Sequence, residues 1–296
     1  VIENKIIIKG LGAIGRIEVE YSGLIHLRGK QGQLEIHLDK DTKTWYAHIT
    51  YTVEEKAVRG VWRKVPLTPK GNLRAGIDLG INNLMAIYVE DGSSALVNGR
   101  PLKTIMHYVK EKVSSYQSKI NKLGIYTTRR LRLLFKKGKR QAKSYIDTWV
   151  RRVIEWLYEK GVSIVYVGYP KYIAQQKGNF NVSNVWSYGY VIKRLSEVAE
   201  EYGISVVPVD ESYTSSTCPI YGDSCGKRIT RGLFKCFTLN KVFNADVVGA
   251  FNILRKHITP SPREGVGVTG WRPSQGLNSS VALNLSALMA PRTLAL

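Results

Sequence analysis

The chain has 296 residues, of which 44% are hydrophobic, and its 44 Lys and Arg against 23 Asp and Glu give a formal net charge of +21. No apolar run approaches the roughly 18 residues of a membrane span, and the opening residues lack the basic flank and cleavage site of a secretory signal. These features argue against a membrane or secreted protein, and they predict a cytoplasmic protein of two domains with a polyanionic partner.

Residues 1–73 alternate apolar and polar side chains in short runs, which is the pattern of β-strands with one buried face. The runs read IIIKG, GRIEVEY, LEIHLD and TWYAHITYTVEE. Several short strands at this spacing predict a small barrel or sandwich. The chain starts with Val and enters this pattern at once, so we expect that the beginning of a longer protein is missing.

A linker-like stretch, VPLTPKGNL, leads into a region that mixes strand and helix patterns. The apolar strand that ends in GIDLG is followed by a second strand and then by a helical pair over 102–160. The strands VSIVYVG and ISVVPVD follow, with the helix VIKRLSEVAEEYG between them, and the helix ADVVGAFNILRKH comes last. This order is typical of an α/β domain with a partly parallel sheet. The Pro-, Gly- and Ser-rich tail at 259–296 is predicted to be flexible.

The helical pair carries a dense group of positive charges. Its run RRLRLLFKKGKRQAK has eight basic residues and no acid. A solvated helix face is the simpler reading, but self-repulsion at this density favours nucleic acid as the partner. The residues predicted to lie along a nucleic-acid backbone are Arg129, Arg130, Arg132, Lys136, Lys137, Lys139 and Arg140.

Three carboxylates lie at the ends of predicted core elements. Asp78 ends the first apolar strand, Glu211 follows ISVVPVD, and Asp246 begins the last helix. Asp78 could instead form a turn, and Asp246 could cap its helix. If the three converge, their oxygens suit hard divalent cations, and two such ions can clamp a phosphodiester.

All three cysteines lie in CPIYGDSCGKRITRGLFKC, as Cys218, Cys225 and Cys236. Their clustering argues against a disulfide-stapled secreted fold and fits a reducing compartment. A structural zinc site normally takes four ligands. The alternatives are therefore a zinc site without its fourth cysteine, or three ordinary thiols.

The order GIDLG, basic helical pair, YTSSTCP, LFKC and NADVVGAFNIL resembles the TnpB family. These are RNA-guided nucleases encoded by insertion sequences, often called transposase accessory proteins, and they are related to type V CRISPR effectors. The resemblance covers about 75–257. It implies a RuvC-like domain of RNase H fold at 74–258, with a zinc-ribbon-like insert at 213–244 and a partial β-barrel wedge domain at 1–73.

The resemblance also implies the partners and cofactors. Guide RNA and DNA would be bound, with the protein on the nucleoid when it holds DNA, and Mg²⁺ or Mn²⁺ would lie at the carboxylates. It makes Asp78 the first and Asp246 the last metal-binding carboxylate. Further helical and wedge parts would precede residue 1.

Three positions depart from the family pattern. The usual second carboxylate is replaced by Gly168, and we expect Glu211 to substitute for it, as a relocated glutamate does in some relatives, including the eukaryotic Fanzor proteins. Two usual zinc-ligand positions hold Tyr221 and Leu239, so three thiolates would remain for Zn²⁺.

Two functions therefore stay open at this stage. The first is a metal-dependent DNA endonuclease directed by RNA, with Asp78, Glu211 and Asp246 as its catalytic set. The alternative is a TnpB-like protein with a dead site that still binds nucleic acid. A sugar-kinase or actin-like ATPase also opens with a strand ending in DxG, but a second glycine-rich phosphate loop is missing and the basic helices would be unexplained.

Overall fold

The chain forms two compact units, the first made of Val1–His37 and Tyr46–Val65 and the second of Leu38–Trp45 and Pro66–Leu296. The computed structural model describes residues 5–10, 12–23, 30–52, 67–169, 188–211, 214, 217–221, 225–230, 232–258 and 292–293. No helix within these ranges combines the length and apolarity that crossing a membrane requires.

The predicted strands of the N-terminal region are confirmed. In chain order they are β1 (Lys5–Lys9), β2 (Arg16–Glu20), β3 (Lys30–Asp39) and β4 (Thr44–Thr52). A short 3-10 helix, Gly12–Ile14, lies between β1 and β2. Over the described residues, β1 pairs with β2 and β3 with β4, as two separate two-stranded sheets. The assembly of these strands into a partial barrel or a sandwich stays a prediction.

The second unit contains the mixed sheet that the sequence predicts. Its strands are β5 (Leu73–Asp78), β6 (Asn83–Val89), β7 (Ser94–Asn98), β8 (Val162–Tyr169), β9 (Ser205–Asp210), β10 (Gly226–Thr230), β11 (Leu233–Cys236), β12 (Lys241–Asn244) and β13 (Arg292–Thr293). In the described structure, six of them form one sheet in the order β13-β7-β6-β5-β8-β9. The central strands β5, β8 and β9 run parallel, while β6 is antiparallel to both of its neighbours. Apart from β13, the tail at 259–296 lies outside the described residues.

The helices of this unit are α1 (Arg100–Asn121), α2 (Arg129–Glu159), α3 (Tyr188–Glu201) and α4 (Ala245–Ile258). The predicted helical pair is therefore confirmed as α1 and α2. Gly124, with φ of +71°, follows the end of α1. The Thr128 hydroxyl then accepts a hydrogen bond from the Leu131 N–H and caps α2. A Cβ on Gly138 would lie 2.6 Å from a methyl of Val109, so its absence lets the two helices approach closely.

Helices cover both faces of the sheet. On one face, α2 and α3 bury Trp149, Ile154 and Leu195 against the strands. On the other face, α4 packs so closely on β5 that a Cβ on Gly76 would overlap the carbonyl oxygen of Ala250. This close contact fixes α4 beside the carboxyl end of β5.

A small β insert separates β9 from α4. Strands β10, β11 and β12 form an antiparallel sheet of three strands in the described residues. One face of this insert buries Phe234, Cys236 and Phe243 in a core shared with α4. The insert is thereby held against the helix that carries Asp246.

Candidate functional site

The three candidate carboxylates all lie at one edge of the sheet. Asp78 is the last residue of β5, Glu211 directly follows β9, and Asp246 is the second residue of α4. Parallel strands end at the same edge, and open α/β sheets form their sites there. The side chain of Asn244 accepts the N–H groups of Asp246 and Val247, both at 3.1 Å. Asn244 therefore caps α4, which leaves the Asp246 carboxylate free of that role.

The charge of Asp78 is strongly disfavoured. Burial raises the pKa of Asp78 to about 8, and the negative charges of Glu211 and Asp246 add to the rise, while Arg228 opposes it. A Cβ on Gly249 of α4 would overlap the Asp78 carboxylate, so the helix backbone forms one wall of the site. The structure thus brings Asp78 into electrostatic contact with both other predicted acids.

Glu211 fills the space above Gly168. A Cβ on Gly168 would lie 3.1 Å from Oε2 of Glu211 and 2.7 Å from Cδ1 of Ile253. Oε2 is buried, and no hydrogen-bond partner for it lies among the described residues. Burial raises the pKa of Glu211 to about 7, and the neighbouring charge of Asp210 contributes. The Glu211 carboxylate therefore lies against Gly168, between β8 and the end of β9.

Asp246 has two side-chain partners that the sequence did not reveal. Asn83 donates its amide to Oδ2 at 2.8 Å, and Arg228 donates from its guanidinium to Oδ1 at 2.6 Å. Asn83 lies just beyond GIDLG, and Arg228 belongs to β10 of the insert. The pairs are separated by 163 and 18 residues, and no local pattern signals either contact.

The carboxylates are more widely spaced than the cysteines. In the described part of the chain, the cysteines form the one group of three candidate ligands whose atoms all lie within 4.8 Å of one another. Asp78 interacts through its charge with Glu211 and with Asp246, and the described carboxylates do not form a group as compact as the cysteines.

The cysteines are assembled, but in a state that differs from three thiolates. Cys218 and Cys225 are joined by a disulfide, and Cys236 is a buried free thiol whose sulfur lies 3.8 Å from that of Cys225. The three cysteines of this segment are thus brought together in one cluster. Tyr221 is 38% and Leu239 36% exposed, so both lie towards the surface.

The basic residues of α2 fall into two sets. Arg132 and Lys136 contact the carboxylates of the β3–β4 tip, with Arg132 2.7 Å from Asp41 and Lys136 2.5 Å from Asp39. The Lys136 ammonium lowers the pKa of Asp39 to about 2. Arg129 donates to the backbone carbonyl of Asp41 at 2.7 Å. Three of the seven predicted nucleic-acid-binding residues are therefore already paired within the chain.

The other four are arranged differently. The Arg130 guanidinium lies 5.1 Å from the ring centre of Tyr116, a cation–π distance. Lys137, Lys139 and Arg140 are exposed. Arg130 is exposed as well, so all four of these side chains are accessible to a partner.

The fold and the site together define a class of protein. It is a mixed α/β protein with helices on both faces of its sheet, an acidic site at the carboxyl edge and a cysteine-bearing β insert beside that site. Oxygen donors of this kind are the ligands that hard divalent cations prefer.

Comparison with known proteins narrows this class. The family OrfB_IS605, described as a probable transposase, matches residues 48–174, and the Cas12f1-like TNB domain matches 188–253. The chain is 34% identical over 272 residues to the TnpB-like protein ORF457 of Acidianus two-tailed virus, across 86% of this chain and 58% of that protein. It is 25% identical over 222 residues to the CRISPR-associated endodeoxyribonuclease Cas12f1 of Syntrophomonas palmitatica, across 70% of this chain and 41% of that protein.

A solved structure shares the fold. The cryo-EM structure of a Cas12f1–sgRNA–target DNA complex aligns with a TM-score of 0.52 at 16% identity, over 74% of this chain and 44% of that chain. The chain is similar to the TnpB family along most of its length. It spans about half the length of the curated relatives it matches.

Proposed function

We propose that the chain is an RNA-guided, divalent-metal-dependent DNA endonuclease with a RuvC-like domain of RNase H fold. The observation that carries the proposal is the Glu211 carboxylate over Gly168, in electrostatic contact with Asp78. Glu211 would thereby supply the third carboxylate in a chain that has Gly168 where the family pattern has a glutamate. A relative is named an endodeoxyribonuclease, and a structure of the same fold holds sgRNA and target DNA, which supports these activities and partners.

The residues present fit a hard divalent cation such as Mg²⁺ or Mn²⁺. Like charges raise the pKa of Asp78, and a cation between the acids would remove that repulsion. Oε2 of Glu211, buried without a described partner, is an oxygen donor available for ligation. When bound, two such ions would stabilise charge on a phosphodiester and lower the pKa of a coordinated water.

The chain's own groups would orient the reaction. Asp78, Glu211 and Asp246 would hold the metal, and the Asn83 amide would fix the plane of the Asp246 carboxylate. Arg228 places a positive charge at the same carboxylate, beside the place that a phosphate backbone would occupy. Exposed Lys137, Lys139 and Arg140 would contact further phosphates at a distance from the site.

The cysteine cluster could bind zinc once its disulfide is reduced. Cys218, Cys225 and Cys236 would then supply three thiolates, the form that zinc binds. Within the described ranges, no fourth His, Cys or carboxylate joins this group. The fourth position would therefore be taken by water or by a ligand from outside the cluster.

A second function is favoured by the contacts of Asp246. Both of its oxygens are already bonded, one to Asn83 and one to Arg228. The Asn83 bond is compatible with metal binding, but the Arg228 guanidinium opposes a cation at the same carboxylate. If Arg228 stays in place when metal is offered, Asp246 would bind the cation too weakly for cleavage. The chain would then bind nucleic acid without cutting it.

Cleavage of a labelled single-stranded oligodeoxynucleotide in MnCl₂ tests the proposal directly. We expect the full chain to cut it and Glu211→Gln to lose more activity than the roughly 10- to 100-fold that removal of a supporting residue costs. The matched control is Glu200→Gln, an exposed glutamate at the end of α3, which precedes β9, whereas Glu211 follows the other end of that strand. This variant should cut normally. If the chain binds the oligonucleotide and leaves it intact, the binding function is the correct one.

Guidance by RNA needs a separate measurement. RNA that copurifies with the full chain is sequenced, and a DNA duplex complementary to it is offered with a scrambled duplex as the control. We expect cleavage of the complementary duplex alone. Equal cleavage of both would refute guidance while leaving the nuclease in place.

A further inference from the structure

We infer that Asn252 is a positioning residue for the carboxylate site, because its side chain anchors the loop that presents Glu211. The inference rests on the proposed function, since it takes Glu211 to be a metal ligand. It assigns a role to the last residue of the motif NADVVGAFN, which neither metal binding nor helix capping uses.

Asn252 ties the loop after β9 to helix α4. Its side chain is in a residue only 5% exposed, and Nδ2 donates to the carbonyl oxygens of Thr214 and Thr217, each at 2.8 Å. A primary amide has two N–H donors, so both are used. The two carbonyls lie between Glu211 and Cys218, and the loop is therefore held close to both of its ends.

Thr214 connects Asn252 to Glu211 through hydrogen bonds. It is 6% exposed, and both its backbone N–H and its hydroxyl donate to the carbonyl oxygen of Glu211, at 3.1 and 2.8 Å. A continuous chain of hydrogen bonds thus runs from Asn252 through Thr214 to the backbone of Glu211. Buried hydrogen bonds of this kind are costly to break, because the groups left behind cannot reach water.

The Glu211 side chain depends on this backbone anchor. Its Oε2 has no hydrogen-bond partner among the described residues, so no described side-chain bond fixes that oxygen. The position of the carboxylate is therefore set by the backbone conformation at Glu211 and by packing over Gly168. A loop free to shift by even an ångström would move the carboxylate out of register with Asp78.

Helix α4 is the common frame for the whole site. It begins with Asp246, its Gly249 abuts the Asp78 carboxylate, and its Ile253 lies against Gly168. Asn252 therefore fastens the Glu211 loop to the same rigid element that positions the other two acids. A residue that only stabilised the loop could do so from any element, whereas Asn252 does so from the helix that positions the other two acids.

The test compares Mn²⁺ affinity with stability in the full chain. Free Mn²⁺ is followed by electron paramagnetic resonance during titration of the wild type, Asn252→Asp and Glu211→Gln. The Asp variant keeps the size of Asn252 but turns two donors into an acceptor that faces two carbonyls. We expect it to bind Mn²⁺ about 10- to 100-fold more weakly, as loss of a supporting residue does.

Glu90→Gln is the control for a purely structural effect. Glu90 is 7% exposed and bonds Arg74 near the opposite end of β5, so its loss destabilises the same domain away from the site. We expect Glu90→Gln to lower the melting temperature and leave Mn²⁺ affinity unchanged. Thr214→Val, which removes only the hydroxyl bond, provides a milder variant if Asn252→Asp fails to fold, and it should weaken Mn²⁺ binding in the same direction.

The outcomes distinguish the positioning role of Asn252 from the proposed role of Glu211 as a metal ligand. Weak Mn²⁺ binding by both Glu211→Gln and the Asn252 or Thr214 variant supports the positioning role. Normal binding by those two variants, with weak binding by Glu211→Gln, overturns the positioning role and leaves Glu211 as a ligand. Normal binding by Glu211→Gln itself refutes the ligand assignment, and the inference fails with it.

Discussion

Replacing Asp78 by Asn should make the metal-free protein more stable at neutral pH. The folded-state pKa of about 8 lies above the unfolded value of 3.8, so the folded chain retains a proton that the unfolded chain releases. Stability from this group is therefore fully present below about pH 4, and it is lost as pH rises towards 8. Asparagine cannot ionise, and this part of the pH dependence should disappear with it.

The size of the effect follows from the shift. Each pH unit between the two pKa values costs about 1.4 kcal/mol, so the roughly three units up to neutral pH amount to about 4 kcal/mol. A buried amide without full hydrogen bonding costs about 1–3 kcal/mol in return. The net gain at pH 7 is thus about 1–3 kcal/mol, or roughly 2–10 °C in melting temperature for a protein of this size.

Thermal unfolding in EDTA at pH 5, 6, 7 and 8 measures this directly. Wild type should lose stability across the series, with Glu211 adding in the same direction because burial raises its pKa as well. The Asp78→Asn curve should be flatter and should lie above wild type at pH 7 and 8. Added Mn²⁺ should reverse the order by stabilising wild type alone. Parallel curves for the two proteins at every pH would refute the reasoning.

Three further perturbations have defined outcomes. Gly168→Ala should destabilise the fold by about 1–3 kcal/mol through overpacking, and it should weaken Mn²⁺ binding by displacing Glu211. Denaturant unfolding and Mn²⁺ titration measure the two effects. Unchanged values in both would mean that the space beside Gly168 can hold a methyl group. Arg228→Gln should tighten Mn²⁺ binding, because the guanidinium no longer competes for Asp246, yet slow cleavage, and a weaker Mn²⁺ affinity would contradict that competition. Asp41→Asn should release Arg132 and Lys136 of α2. The plot of log binding constant against log salt concentration for DNA should then steepen by about one unit of slope. Fluorescence anisotropy across a NaCl series measures this slope, and an unchanged slope would show that those cations do not reach the DNA.

Local patterns were sufficient for most elements of the fold, but β7 and the insert strands β10, β11 and β12 were not predicted. Gly124 and Thr128 mark the break between α1 and α2 through backbone conformation and capping, both of which depend on a few neighbouring residues. The mixed sheet followed from the order of strand and helix patterns. The pairing of β1 with β2 and of β3 with β4 was not predicted, since strand periodicity alone does not determine which strands pair.

The candidate site was only partly visible in the sequence. Asp78, Glu211 and Asp246 could be placed because each ends or begins a core element, where the carboxyl edge of a sheet collects side chains. Arg228 and Asn83 could not, because their bonds to Asp246 depend on how the insert and a turn fold back onto α4. Contacts of this type join residues that carry no shared local signal.

The crowding above Gly168 also restricts how this chain can change over time. A side chain gained at 168 while Glu211 is in place would collide with Ile253 and crowd the carboxylate. If Glu211 is lost first, the site has two acids in place of three. We therefore expect the two positions to exchange their carboxylate only through an impaired intermediate, so that the present arrangement, once reached, tends to persist in descendants of this sequence.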